Sequence, residues 1–486
     1  MKTKGRCARL YIRLKLGGRG FVRLSVLLLS VLYLRGTILW MTISRRRLLF
    51  SSAAAALLPG NARSASTGMI TLSPQPLDLE MPVDDFIDEF TPVPSFFIRS
   101  HTLIPEVKLA DWTLSIDGLV EKPIRLKFEE LRQMPRMELV SVLECAGNGR
   151  SFYAPRVAGS QWRFGAVGNA KWTGVRLRDV LDKVGLKAGA TNLLLDGADV
   201  PLGKMPDFQR TIPVAKALDP DTMLAYEMNG APLTAAHGFP LRLIAPGWAS
   251  DSWVKWLQHI EVLDHEFEGF WMKTAYRHPN RPVAPGTAVD AKDMVPVTDL
   301  NVKSVIAHPG EWAKPGHIAV AGVAWSNASP VSKVEVSTDA GSTWALAKLL
   351  GEPTKYGFRK WLYGWDAREG PHTLMSRASN ANGETQPLEE QWNPSGYLWN
   401  VAQARPVLIS RKEPVAAPAP EVAKAEAPNG YAATCMSCHD EHMMRQQRLT
   451  RAQWDKEVNK MTNWGAPVQP EKREALLDYL SSRFKP

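Results

Sequence analysis

The chain has 486 residues, 45% hydrophobic and 22% charged, an ordinary globular balance, and its length calls for about two to four domains rather than one core. Its formal charge of +10 is lopsided, because residues 1–68 carry 13 Lys or Arg and no acid, leaving 46 basic against 49 acidic residues elsewhere. That balance excludes a basic, nucleic-acid-binding body, and four cysteines, one of them Cys7 in the leader, supply no disulfide framework.

Residues 1–66 read as a leader. The apolar run Ser25–Leu34, ended by Arg35, is too short to span a bilayer as a helix. A second start follows at Met41. There Ser44-Arg45-Arg46-Arg47-Leu48-Leu49 and the Ala/Leu stretch behind it resemble a twin-arginine export signal, with small residues suited to cleavage within Asn61–Thr67. A general secretory signal or an anchor helix is the alternative. On the export reading Met41 is the true start, and the mature chain is periplasmic with no membrane span.

The segment from Thr67 to Pro94, rich in Pro and acidic at Asp84, Asp85, Asp88 and Glu89, reads as a surface lead-in. Next, Arg99 and His101 stand two apart on an extended stretch, so they share a side. Trp112–Ile124 alternates about a Gly turn, as strands do, and Phe128–Met134 reads as a short helix. In Ser141–Tyr153, SVLECAGNGRSFY, Cys145 ends an apolar strand and Gly147 and Gly149 force a tight turn. Arg150 brings a fixed cation to that turn. A thiol beside a guanidinium favours a metal or an anion, and a buried structural Cys is the alternative.

Val175–Val184 has helical apolar spacing, and Leu193–Leu195 reads as a buried strand. His237 and Arg242 lead into the apolar run Leu243–Gly247, with Lys255 beyond it, and Tyr276 lies in FWMKTAYRH. Pro282–Asp299 reads as a connector. From Val302 to Trp399 the pattern turns to alternating strands at Val331–Val336 and Trp344–Leu349 about an Asp339-Ala340-Gly341 turn, as in an immunoglobulin-like sandwich. Residues 401–428 are rich in Ala and Pro and read as a tether. Beyond lies Cys435-Met436-Ser437-Cys438-His439, the C-x-x-C-H signature of covalent c-type haem, a redox C-x-x-C being the alternative. His439 is the expected proximal iron ligand. Met461, placed after a helix at Arg451–Lys460, is the expected sixth ligand, with His442 or an open position as alternatives; Met443 and Met444 stand close to His439 in sequence.

The Cys145 loop, Trp162–Asp179 and Ala225–Trp256 together resemble the sulfite oxidase family, in its order, over roughly Pro94 to Trp399. The resemblance implies an α+β molybdopterin domain at 67–299 and an immunoglobulin-like dimerisation domain at 300–400. The linker at 401–428 then leads to a small all-α cytochrome c domain at 429–486. It further implies that Cys145 binds molybdenum and that His237, Arg242 and Lys255 hold the pterin and its phosphate, a task that suits Arg and Lys donors. Arg99, His101, Arg150, Tyr276 and Arg359 would form the substrate pocket, Arg359 being sent back from the second domain. The activity implied is sulfite oxidation to sulfate, with electrons leaving through haem c to a soluble cytochrome c, and a homodimer follows from the resemblance alone. Three arginines suit a tetrahedral oxyanion. Two rival readings are a related molybdoenzyme acting on sulfane sulfur or a sulfoxide, and a non-catalytic electron-transfer protein.

Overall fold

A computed structural model describes residues 68–414, 427–428 and 430–486. The expected export signal, the second start at Met41 and most of the tether lie outside the described residues.

The first domain is built on two five-stranded sheets. One runs in the order Ala231–Pro232, Met223–Met228, Val167–Arg176, Arg136–Glu144, with Arg242–Ile244 also paired to Met223–Met228. Val167–Arg176 is its centre, and eight of its ten residues are buried, so the strand is apolar on both faces. In the other sheet Leu257–Leu263 lies parallel to Thr113–Gly118 and antiparallel to Asn192–Gly197. Helix Leu177–Val184 buries Leu177, Val180, Leu181 and Val184 against this core and stops at Gly185, where φ is 63°. The helical period read from Val175 onward therefore begins two residues later, the strand keeping Val175 and Arg176.

The segment expected as a surface lead-in is a structural part of the core. Ile70–Pro74 and Leu77–Glu80 form a hairpin, and Ile98–Arg99 joins its edge. Asp78 and Glu80, acids that composition alone would place in water, are 0% and 1% exposed.

The second domain is a sandwich of two sheets. Lys303–His308, Gly316–Trp325, Arg359–Ala367 and Lys348–Leu349 form one; Trp312–Ala313, Gln403–Ile409, Gly370–Asn380, Val331–Ser337 and Ala345–Leu346 form the other. Trp361, Val320, Val334 and Leu374 fill the space between them. Gln403–Ile409 corrects the expected domain boundary at 400. It alternates buried and exposed without a break and pairs along Gly370–Asn380, so the tether starts beyond it. Pro406 misled the composition argument, but it sits on an exposed position of the strand.

Residues 430–486 form a small helical unit with its own core of Leu449, Trp454, Val458, Leu476, Leu477 and Leu480. Helix Arg451–Asn463 opens with a capping box, Thr450 accepting from the Gln453 N–H and Gln453 reaching back to the Thr450 N–H. It runs three residues past the expected end, so Met461 lies in its last turn rather than after it. Helix Arg473–Arg483 packs beside it. No helix among the described residues is long and apolar enough to cross a membrane.

Candidate active site

Strand Arg136–Glu144 delivers Cys145 to the interior, where the thiol is 6% exposed. The Cys145 N–H bonds Ala166 O at 2.9 Å, and its carbonyl accepts from Asn148 N at 2.9 Å, which closes the turn. Gly147 and Gly159 make room for Arg150: a Cβ on either would stand 2.8 Å from the guanidinium. The turn is braced from the second domain. Glu144 accepts from Lys303 Nζ at 2.5 Å, from Trp325 Nε1 at 2.7 Å and from Asn148 Nδ2 at 2.9 Å, all buried. Burial raises the Cys145 thiol pKa, against the pull of the Gly147 N–H and of Arg150 and Arg99. A thiol in that state is inert until a metal takes its proton.

Two cavities share Cys145, Arg99, His101 and Tyr276. The smaller, of 60 Å³, is also lined by His237, Arg242 and Lys255. Buried Arg242 donates to the carbonyls of His237 (2.9 Å) and Trp253 (3.2 Å), and its Nε has no partner. Half-buried Lys255 donates to the carbonyls of Arg99 and Ala236 at 3.0 and 3.1 Å. Burial brings Arg242 down to about 9. It brings Lys255 down to about 7, with Arg242 adding repulsion. Burial, with Arg242 and Lys255 beside it, also takes His237 down to about 3, so that imidazole is neutral. Two enclosed basic groups whose bonds all go to neutral oxygens, one with an orphaned N–H, suit an anion, which would favour their charged forms. They fit a phosphate-bearing pterin.

The larger cavity, of 340 Å³, extends from Cys145 and Arg150 to the C-terminal unit, and Cys435, Cys438, His439 and Met461 all line it. Met443 and Met444 line it too, despite their closeness to His439 in sequence. His442 does not; it is exposed and pairs with Asp440.

On the Cys145 side, His101 Nε2 and the Tyr276 hydroxyl are hydrogen-bonded at 2.6 Å. His101 stacks on Phe208, centroids 4.1 Å apart, with Trp271 edge-on at 4.6 Å. Burial, reinforced by Arg99, Lys255 and Arg210, holds the His101 pKa well below its usual value, and burial holds that of Tyr276 well above. Both are therefore neutral near pH 7. Tyr276 sits at φ 52°, a left-handed conformation that a bulky residue adopts under constraint.

Arg359 is not part of this assembly. It lines neither cavity, and its guanidinium donates to the Gly351 carbonyl. Phe358 is buried against Trp325 (5.4 Å) and Phe86 (6.0 Å), so strand alternation turns the next side chain the other way. The expected third arginine is thus corrected.

Sequence reasoning missed several residues here. Tyr397 stacks on Tyr276 at 5.3 Å, with the Arg150 guanidinium 4.9 Å from its ring. Arg210 pairs with Asp251 at 2.6 Å, both 1% exposed, and its guanidinium lies 5.2 Å from the Tyr276 ring. Asp78 accepts from Arg99 at 3.2 Å and from Ser160 Oγ at 2.8 Å. None of these carries a local motif; each reaches the site from a distant part of the chain.

Residues 101–271 match the oxidoreductase molybdopterin binding domain, and residues 294–404 match the Mo-co oxidoreductase dimerisation domain. Sulfite oxidase of Gallus gallus is 34% identical over 351 residues, covering 68% of this chain and 76% of that protein. The chain belongs to the sulfite oxidase family. It carries that family's molybdopterin-binding and dimerisation domains, and the pair Arg242–Lys255 fits the family's cofactor. Mitochondrial sulfite oxidase of Drosophila melanogaster is 33% identical over 355 residues, 68% of this chain and 61% of that protein, so the chain spans about three fifths of its length. Among solved structures, the sulfane dehydrogenase SoxCD from Paracoccus pantotrophus aligns with a TM-score of 0.61 and 27% identity, over 70% of this chain and 88% of that one.

Proposed function

We propose that this member of the sulfite oxidase family oxidises sulfite to sulfate and passes the electrons through a covalently bound c-type haem to a soluble cytochrome c. The single observation that carries this reading is the larger cavity, lined at one end by Cys145, Arg99 and Arg150 and at the other by Cys435, Cys438, His439 and Met461. When bound, molybdopterin supplies two-electron chemistry at the metal and haem supplies one-electron transfer.

The chain's own residues do the rest. Cys145 is the thiolate ligand to molybdenum; Arg242 and Lys255, with His237, hold the pterin phosphate end. Arg99 and Arg150 place fixed positive charge where a dianion sits, and Asp78 keeps Arg99 charged although burial opposes it. Neutral His101 and the Tyr276 hydroxyl are hydrogen-bonded, Nε2 to Oη, beside an aromatic wall of Phe208 and Trp271. At the other end, Cys435 and Cys438 would carry the porphyrin thioethers. Burial lowers the His439 pKa, which keeps the imidazole neutral, and His439 and Met461 would be the two protein ligands to iron. Trp454 lines the same cavity with its buried indole N–H unpartnered, a donor for a propionate.

The match to a dimerisation domain supports a homodimer. The Ser44–Leu49 signal supports twin-arginine export of the folded, cofactor-loaded chain to the periplasm. One observation favours a second reading. With Arg359 turned away, two arginines among the described residues face the cavity rather than three, which loosens the demand for a small dianion and favours sulfane sulfur, the substrate class that the name of the Paracoccus neighbour carries.

Element analysis of the purified protein and its optical spectrum before and after substrate decide the matter. Molybdenum and iron together, with haem reduced by sulfite and turnover with cytochrome c, are expected. Haem that stays oxidised with sulfite but is reduced with thiosulfate favours the second reading; iron without molybdenum refutes both.

A further inference from the structure

We infer that Gln446 and Gln447 form a latch that fixes the C-terminal helical unit to the segment Gly159–Gln161 and, through Ser160, ties that docking to the geometry of Arg99 and Arg150. The two consecutive side chains reach out of their own unit and bond backbone groups of the first domain. Gln446 Oε1 accepts from Gln161 N at 2.7 Å, and its Nε2 donates to Leu72 O at 3.0 Å. Gln447 is 5% exposed; its Oε1 accepts from Gly159 N at 3.3 Å and its Nε2 donates to Gly159 O at 2.9 Å. The carboxamide of Gln447 thus matches the donor and acceptor of one residue, Gly159, as a neighbouring strand would. Only an amide side chain presents both a donor and an acceptor in that fork; an acid or a lysine satisfies half of it.

The gripped segment is the one that organises the arginines. Ser160 lies between the two latched residues. Its hydroxyl donates to Asp78, the acid that holds Arg99, and its carbonyl accepts from Arg150 Nη1 at 3.1 Å. Gly159 must stay a glycine here, because a Cβ would meet that same guanidinium. Leu72, the second anchor of Gln446, stands in the strand paired with the one that carries Asp78. Gln446 therefore touches the hairpin that carries the arginine-orienting acid, and both glutamines touch the segment that carries the serine. Buried, fully paired polar groups of this kind define position sharply, since an unmade bond costs the desolvation of both partners. Undocking the unit frees Gly159 and Gln161 together and loosens the frame of both cations at once. The coupling half of this inference rests on the reading of Arg99 and Arg150 as anion-binding groups; the latch half does not.

The test uses the intact, cofactor-loaded protein and its Gln446→Ala/Gln447→Ala variant, with inorganic sulfate as the anion probe. Amide hydrogen exchange at Gly159 and Gln161 is expected to accelerate about tenfold, the factor one net hydrogen bond carries. Sulfate affinity measured by calorimetry is expected to fall about fivefold, the lower end of coupling between linked sites. The milder Gln447→Glu, which keeps the acceptor and loses the donor, should lie between. Unchanged exchange overturns the latch. Faster exchange with unchanged sulfate affinity overturns the coupling. A wild-type protein that binds no sulfate overturns the anion reading and the coupling with it, while exchange still decides the latch.

Discussion

Cys145 and Cys435 both face the same cavity, yet the chain treats the two thiols differently. Around Cys145 everything is braced. The turn is closed by backbone bonds, Arg150 is seated between two glycines, and Glu144 is gripped by Lys303 and Trp325 from the other domain. Around Cys435 and Cys438 the support is sparse. Both thiols are half-buried, the helix Tyr431–Cys435 has no side-chain cap, and burial, with no cation to offset it, raises the Cys435 pKa to about 11. On the proposed reading, the lesson is that a site for a group inserted whole must be prebuilt, whereas a porphyrin attached at Cys435 and Cys438 would bring its own core.

Five changes sharpen or break that contrast. Cys145→Ser should abolish turnover while the haem spectrum survives; loss of both would show that the two ends are not independent. Lys303→Met leaves the Glu144 carboxylate buried without its cation and should destabilise the fold by about 3–5 kcal/mol in chemical unfolding. Met461→Ala should remove the methionine ligand, lower the haem potential and leave sulfite-dependent reduction of molybdenum, followed by electron paramagnetic resonance, in place. Glu80→Gln tests a buried acid of the hairpin. Burial lifts Glu80 from 4.5 to about 7, so the folded state binds its proton more tightly than the unfolded chain. Stability contributed at this position is complete below pH 4.5 and is lost as pH rises toward 7, and the variant should flatten that part of the stability profile. The smallest effect belongs to Arg359→Gln: with its guanidinium on the Gly351 carbonyl, the KM for sulfite should stay within error of the parent.

Much of this was legible from residue order. The Cys145 turn, the Arg99–His101 pair, the strands of the sandwich and the C-x-x-C-H signature are all visible through local spacing, and Cys145, Arg99, His101, Cys435, Cys438 and His439 all line one cavity. What stayed hidden was long-range. Asp78 lies in the Pro-rich stretch whose composition reads as a surface lead-in, and its pairing with Ile98–Arg99 sets it, buried, against Arg99. Arg210 and Asp251 are 41 residues apart, and nothing in either neighbourhood announces a buried pair. Tyr397 reaches Tyr276 from the end of the second domain. Gln403–Ile409 alternates cleanly, but a proline and the Ala-rich stretch after it outweighed the period. Arg359 failed for the opposite reason: its position matched a family role, while the side chain follows the strand.

The brace on Glu144 also sets an order of events during synthesis. A nascent polypeptide that has emerged only as far as the connector holds the metal-binding turn but not the strand at Lys303–His308, so the acid next to the thiol has no counter-charge. The turn that carries Cys145 is therefore fully braced only once the sandwich strands bearing Lys303 and Trp325 are in place.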